Sequence, residues 1–497
     1  MNSFKKKYFY KLTTNIVSLL FNFITATFVP RQLGAVNYGN YSYIINVFTQ
    51  IIAFLDFKSS TYFYVKLSQN KDDTKLVSFY FHYVLIVFLT LVLISGIFSL
   101  DYIKYYVFKE QHIISILFGM VFAFLLWLTD IATSFMDAIG ETVTLERIKI
   151  YFKLFSLFSL SIVLVSQLLT LENYFLLQIS SSLLVIFFII YFVRKKDIFQ
   201  IVTNRPSKTE FKEMFTKLII YSTPLVGYMF LQMVSGFTDR WILQHYVGSQ
   251  AQGLFSFSYS LTNVMSLFVS VLLPLIIREI SIAAGVNDKL QIAKIYNQFY
   301  PLIFALVAYF TAFTFVQSSV IINLFGGKEY EESLFSFQLL LILPLLGVFS
   351  GLNGAIVYAT HKTKLFFNIA IFATPLGLIL NIILINPYFL ALGHNGLVIK
   401  TVIVDFISLI IVLFILSKEY NISFSKIIVH FLFLIPFLTV AYVVSIASDL
   451  LGLKLIIGFI FSGLVYTMLL FVFLYIYPPI FGLNKNVRLI VNKYIKR

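Results

Sequence analysis

A chain of 497 residues with 59% hydrophobic and 12% charged residues does not fold as a water-soluble globule, because such domains carry about 25% charge. A mean hydropathy of +0.90 and repeated apolar runs of about 20 residues place it in a lipid bilayer. The lack of cysteine excludes disulfides, thiolate nucleophiles and cysteine metal sites. A net charge of +15 in such a chain reflects loops drawn to anionic lipid rather than nucleic-acid binding.

Lys5, Lys6 and Lys7 lead into an apolar run that reaches Pro30 without a small-x-small cleavage pattern. It reads as a first spanning helix that starts in the cytoplasm, not as a cleaved leader. Further runs fall near 40–57, 76–100, 111–138, 150–170 and 173–193. A basic stretch follows, in which Pro206 and the capping-box pattern Ser207-Lys208-Thr209-Glu210 open a helix. Phe211, Met214, Phe215 and Leu218 oppose Lys208, Lys212 and Glu213, a pattern suited to the inner membrane surface. Runs near 216–238, 251–277, 297–325, 333–360, 365–391, 396–417, 427–447 and 451–477 bring the set to fourteen. The tail repeats the amphipathic pattern, with Val487, Ile490, Val491 and Tyr494 against Lys485, Arg488 and Lys496.

Alternation from a cytoplasmic start leaves all but seven of the 37 basic residues on the inner side. The outer seven are Arg31, Lys104, Lys109, Arg240, Lys328, Lys400 and Lys454. A miscounted helix would scramble this division, so the positive-inside asymmetry supports fourteen spans with both termini inside. The expected fold is an all-α polytopic membrane protein. Residues 1–195 form a six-helix lobe, 196–217 a basic amphipathic cytoplasmic linker and 218–417 a second six-helix lobe. Residues 418–480 add helices 13 and 14, and 481–497 form a basic cytoplasmic tail.

The two lobes are expected to be related by pseudo-two-fold symmetry. Leu33–Ser42 and Val247–Ser256, 214 residues apart, both read apolar-Gly-x4-Gly-x-aromatic-Ser and both follow the first helix of a lobe. Gly34, Gly39, Gly248 and Gly253 are predicted to serve tight turns there.

The chain holds no G-x-S-x-G, H-E-x-x-H or Walker-type loop. Adjacent Asp72 and Asp73 are flanked by Lys71 and Lys75 and read as a solvated loop cluster. Transport without covalent chemistry is the reading that fits. Candidate functional groups are then ionisable residues at membrane depth, each costing about 2.5–3.5 kcal/mol on insertion scales. Asp130, Ser134 and Asp137 share one face of the fourth helix, and Lys153 in the next is placed to pair with either acid. Asp405 lies inside the twelfth helix, with Lys400 toward its outer end. Arg31, Arg240 and Arg278 close helices, where snorkelling is the default. Pro224, Pro274, Pro301, Pro344 and Pro375 interrupt helices of the second half and permit kinks.

The pattern Val29-Pro30-Arg31-Gln32-Leu33-Gly34, with Tyr38-Gly39-Asn40-Tyr41, resembles the start of bacterial polysaccharide flippases of the multidrug/oligosaccharidyl-lipid/polysaccharide exporter superfamily. Tyr221-Ser222-Thr223-Pro224-Leu225, Asp239-Arg240, the Asn-rich stretch Leu380–Pro387 and Gly393-His394-Asn395-Gly396 extend the resemblance to about residue 400. Leu397 and Val398 stand where that family usually carries Ala-Ala.

The resemblance implies a two-lobed bundle with alternating access in the bacterial cytoplasmic (inner) membrane, not an enzyme. The implied cargo is undecaprenyl-diphosphate-linked oligosaccharide for O-antigen, lipopolysaccharide or capsule. Arg31, Lys153, Arg240 and Arg278 become candidate anion contacts, and Asp130 and Asp405 candidate ion-coupling carboxylates. No cofactor is expected, and H+ or Na+ stands as the candidate coupling ion. Membrane lipids, and a polymerase and chain-length regulator of the same pathway, are candidate partners; nucleic acid is not. Within the superfamily a lipid II flippase or multidrug exporter are alternatives, and a membrane glycan polymerase is the alternative of another class.

Because the chain has no native cysteine, Lys208→Cys is expected to react with a membrane-impermeant maleimide only after permeabilisation. Lys328→Cys is expected to react in intact cells; the opposite pattern would invert the topology.

Overall fold

A computed structural model describes residues 3–478 except 72, 110, 196–206 and 423–430. The predicted tail helix, Asp72 and most of the linker lie outside the described residues. All secondary structure among the described residues is helical. The first half holds α1 (Ser3–Leu55), α2 (Ser59–Gln69), α3 (Thr74–Phe98), α4 (Asp101–Val107), α5 (Ile113–Ala138), α6 (Thr142–Val165) and α7 (Leu171–Lys195). Then come α8 (Lys208–Tyr246), α9 (Ser249–Gly285), α10 (Lys289–Val316), α11 (Ser318–Phe325), α12 (Leu334–Leu340) and α13 (Ile342–Ala359). The chain continues through α14 (Lys364–Ile385), α15 (Gly393–Tyr420), α16 (Leu434–Leu450) and α17 (Leu455–Ile476).

Nine helices among the described residues are long and apolar enough to cross a bilayer, or ten if the two arms of α8 count as one span. This is fewer than the fourteen apolar runs. The first two runs are fused in the 53-residue α1, and the run near 427–447 contributes the 17-residue α16. Ser207 and Glu210 form the expected capping box, the hydroxyl accepting from the Glu210 N–H and the carboxylate from the Ser207 N–H. The helix that this box opens does not end with the amphipathic stretch: α8 runs on through a bend of 71° between Thr223 and Leu225. The intervening residue is Pro224, which has no N–H for the helical ladder.

The chain packs as two compact units, Met1–Ser256 with Ala370–His394, and Phe257–Ile369 with Asn395–Arg497. The first unit has an aromatic core in which Tyr43, Phe48, Phe79, Phe108 and Phe175 are fully buried. Tyr43 donates from its hydroxyl to the Val107 carbonyl at 2.6 Å, satisfying its one polar atom. Asp56 is buried between α1 and α2 and accepts from Ser59 Oγ, Ser60 N–H, Ser60 Oγ and the Trp127 indole N–H. A carboxylate so fully bonded is a structural cap rather than a reactive group. The second unit is built on Tyr296, Phe304, Phe349 and Tyr466, with Tyr466 donating to the Tyr309 carbonyl at 2.8 Å. Lys362 donates to Glu419 there, and this hydrogen bond holds the ammonium pKa above its ordinary value.

The two copies of the glycine echo meet inside the first unit. Gly34 (φ 75°) breaks α1, and Gly248 (φ 98°) precedes α9; both take backbone conformations that suit glycine. Gly39 and Gly253 differ from the predicted turn role: both are helical and lie where α1 and α9 cross. A Cβ on Gly39 would stand 1.8 Å from the Ser249 carbonyl oxygen, and one on Gly253 would stand 1.9 Å from that of Ala35. Ala35 and Ser249, like Gly39 and Gly253, occupy matching positions of the echo, so the contact is reciprocal. Ser42 and Ser256, the last matching pair, share a hydroxyl–hydroxyl hydrogen bond of 2.7 Å.

Neither glycine tolerates a side chain without the helices separating. Gly39→Ala and Gly253→Ala are each expected to cost about 1–3 kcal/mol. The double variant should cost less than the sum, because either change opens the same crossing. Unfolding midpoints in detergent test this; strict additivity would contradict a shared contact.

Candidate functional site

The first part of α1 runs alongside α6 in constant register. Thr14 Oγ1 donates to the Glu146 carbonyl at 3.4 Å and Gln32 Nε2 to the Leu164 carbonyl at 2.9 Å, each pair 132 residues apart. The two helices are therefore parallel. Val29 and Leu33 pack with Leu160 near their far ends.

Charged groups lie along this pair. Near its start, Lys11 approaches Asp137 at 4.0 Å, and Arg147 donates to the Tyr10 hydroxyl at 2.9 Å while its guanidinium covers the ring. Lys149 lies 4.0 Å from the buried Glu146 carboxylate. Lys153 is half-buried, with its ammonium 5.3 Å from the centre of the Phe21 ring. At 1.5 Å per residue, Lys149 and Lys153 stand about 10 and 16 Å along α6, and Asp130 about 12 Å from the end of α5. Phe21 lies near the middle of the apolar run that ends at Pro30, so Lys153 stands level with the centre of that run.

Lys149 lies within Coulombic reach of both Asp130 and Lys153. The anticipated direct pairing of Lys153 with Asp130 or Asp137 is replaced by this arrangement: Asp137 faces Lys11, and Lys153 rests on an aromatic face. Neither Lys153 nor Asp130 has an ion-pair partner within 4.0 Å among the described residues. A ring quadrupole offsets part of the cost of burying an ammonium without neutralising it, so Lys153 keeps its capacity to attract an anion. Arg31 is exposed, ten residues and about 15 Å beyond Phe21 along α1. The α1–α6 pair thus presents cations near its start, at mid-depth and toward its far end.

The other predicted residues sit apart. Arg240 donates to Gln252 Oε1 at 3.2 Å and Ser256 Oγ at 2.9 Å, with its guanidinium over Phe255. It ties α8 to the start of α9. Its neighbour Asp239 accepts from Asn381 Nδ2 at 2.6 Å, which draws α14 into the first unit. In the second unit, Arg278 is exposed and lies 3.5 Å from Glu279. Asp405 is exposed on α15, five residues beyond the buried Lys400. No group of three or more His, Asp or Glu that would hold a metal occurs among the described residues.

Sequence reasoning assigned Lys149 to a loop, although it precedes Lys153 by four residues and so shares its helix face. It also passed over the Ala35-x3-Gly39 and Ser249-x3-Gly253 spacings, which are the small-residue signature of close helix crossing in membranes.

A family model described as polysaccharide biosynthesis protein matches residues 4–278. The chain belongs to this family. The matched stretch covers the α1–α6 pair, the glycine crossing and Arg240. The fold is shared with solved membrane transporters. The lipid II flippase MurJ, in an inward closed conformation, superposes with a TM-score of 0.65 at 16% identity, over 94% of this chain and 98% of that one. An inward-facing multidrug resistance MATE family transporter of the MOP superfamily gives 0.58 at 14% identity, over 82% and 94%. The outward-facing conformation of such a transporter gives 0.51 at 13% identity, over 85% and 96%. At these identities the likeness concerns the fold. No curated protein sequence matches the chain.

The two basic residues with opposite surroundings should separate in stability. Arg240→Ala is expected to lower stability by about 2–3 kcal/mol through its lost charge-assisted bonds. Lys153→Ala should leave the unfolding midpoint unchanged or raised, because it removes a half-buried cation. Equal losses in both would make Lys153 a structural residue.

Proposed function

We propose that the chain is a flippase that carries undecaprenyl-diphosphate-linked oligosaccharide repeat units from the cytoplasmic to the outer leaflet of the bacterial inner membrane. The oligosaccharide would serve O-antigen or capsular polysaccharide synthesis. Family membership with a transporter fold supports this reading, and the observation that carries it is the cationic α1–α6 pair. A diphosphate–sugar headgroup is excluded from hydrocarbon by the cost of burying charge and hydroxyls. Lys153 at mid-depth offers a counter-charge where that cost is greatest, and Arg31 offers planar paired donors farther along. The lipid tail stays in the bilayer while the headgroup passes from one cation to the next. Asp130, beside Lys149, is the carboxylate suited to exchange a proton or Na+ during the cycle. Alternating access of a two-lobed bundle supplies the motion.

One observation favours a second reading within the same chemistry: the superposition on the lipid II flippase extends over nearly the full length of both chains. Both cargoes are polyprenyl-diphosphate glycans, so the cationic pair suits either.

A deletion strain is expected to lose surface polysaccharide and accumulate lipid-linked repeat units facing the cytoplasm. Lys153→Ala should reproduce that loss with normal protein levels, by about tenfold or more, the equivalent of one charge-assisted bond. Normal surface polysaccharide in the deletion strain would refute the reading, and lysis on depletion would transfer it to lipid II.

A further inference from the structure

Where Gly34 interrupts α1, the first unit contains a polar cavity of about 200 Å³. Gln32, Asn37 and Asn40 line it from α1, and Thr170 and Glu172 from the start of α7. Asn40 is 9% exposed. Its Oδ1 is committed, accepting from Gln111 Nε2 at 3.3 Å and from the Ser249 hydroxyl at 2.5 Å. Its Nδ2 is left as a donor on the cavity wall, with no acceptor among the described residues. Thr170 Oγ1 accepts from the Asn173 N–H at 3.2 Å and keeps its own proton to donate. Acceptors face these donors. Glu172 is held by the Ser115 hydroxyl, which donates to Oε1 at 3.1 Å and leaves the second carboxylate oxygen open. Gln32 and Asn37 spend their amide nitrogens on the Leu164 and Leu33 carbonyls and keep their oxygens.

We propose that this cavity is a sugar subsite, which takes one uncharged pyranose ring of the glycan that the chain carries. The inference rests on the reading of the chain as a glycolipid carrier. A sugar hydroxyl both donates and accepts, so it matches a wall that offers both kinds of group. A phosphate would use only the donors and a metal ion only the acceptors. No lysine or arginine lines the cavity, and its one carboxylate repels an anion. Leu33, Leu169 and Leu171, all buried, add an apolar strip for the C–H face of the ring. The volume lies below the roughly 300–1,000 Å³ of drug-sized sites, which limits the occupant to a single ring. The position fits the cargo, because Gln32 directly follows Arg31, the last cation of the proposed path. A diphosphate at Arg31 would bring its attached sugar to this wall. The alternative role for Asn40 is to join α1 to Gln111 and Ser249. That role uses the oxygen alone and is indifferent to the nitrogen.

The test is ligand-observed saturation-transfer NMR on the purified full chain, in a detergent without a sugar headgroup. The probes are the methyl glycosides of glucose, galactose and N-acetylglucosamine, with methyl glucuronide as the charged control. Saturable binding of a neutral glycoside is expected for the native chain, and none of the glucuronide. Asn40→Asp keeps the accepting oxygen but replaces the open donor with an acceptor, and should weaken binding about tenfold or more. Glu172→Gln keeps an oxygen for Ser115 and should weaken binding by a similar factor, which keeps the proposal testable if Asn40→Asp misfolds. Failure of every neutral glycoside to bind the folded native chain would leave a water-filled cavity and overturn the proposal. Binding unchanged in either folded variant, or glucuronide bound as tightly as the neutral probes, would also overturn it. The measurement needs no translocation. A chain that moves glycolipid but binds no glycoside contradicts the subsite alone, and one that binds glycosides but moves no glycolipid contradicts the carrier reading alone.

Discussion

The first unit depends on a backbone contact that only glycine permits. At the crossing of α1 and α9, the positions of Gly39 and Gly253 press against the Ser249 and Ala35 carbonyls with no room for a Cβ. In a membrane, where lipid tails are as apolar as leucine, such close approach and the polar bonds beside it supply much of the helix association. The bonds follow from the contact. Ser42 reaches Ser256, Asn40 accepts from the Ser249 hydroxyl at 2.5 Å, and Arg240 spans from α8 to Gln252 and Ser256. The crossing therefore holds the start of α9, distant in sequence, within the same unit as α1.

A second constraint is the cost of charge in hydrocarbon. Most buried polar groups of the first unit are satisfied locally, as the four bonds to Asp56 show. Lys153 is treated differently, with an aromatic face beneath it and no carboxylate within ion-pair distance among the described residues. Structural charges in membranes pair. A cation that keeps its charge on an aromatic face is the arrangement that the proposed anion contact requires. The parallel register of α1 and α6 extends this into a series, from Arg147 and Lys149 through Lys153 to Arg31.

Much of this was legible in the sequence, for physical reasons. Apolar runs report helices because each must satisfy its own backbone in lipid, and Ser207 with Glu210 marked the start of α8 because a capping box is local. The echo at Gly34 and Gly248 located the related segments. What stayed hidden depends on contacts between residues far apart in the chain. Gly39 and Gly253 are helix-contact residues because of what lies opposite them, which spacing alone suggests and neighbouring turns obscured. Asp239 draws α14 into the first unit through Asn381, a pairing across 142 residues that no periodicity records. Gln111 reaches Asn40 across 71 residues, another contact that no local pattern records.

The most direct test of the account is glycolipid translocation by the purified chain in sealed vesicles. A polyprenyl-diphosphate-linked oligosaccharide is loaded in the bilayer, and the rate at which its sugar becomes accessible on the opposite face is followed with a membrane-impermeant lectin. The account predicts rapid transfer by the native chain and transfer near the protein-free rate by Lys153→Ala. Transfer by Lys153→Ala at the native rate, or none by the correctly folded native chain, would contradict it.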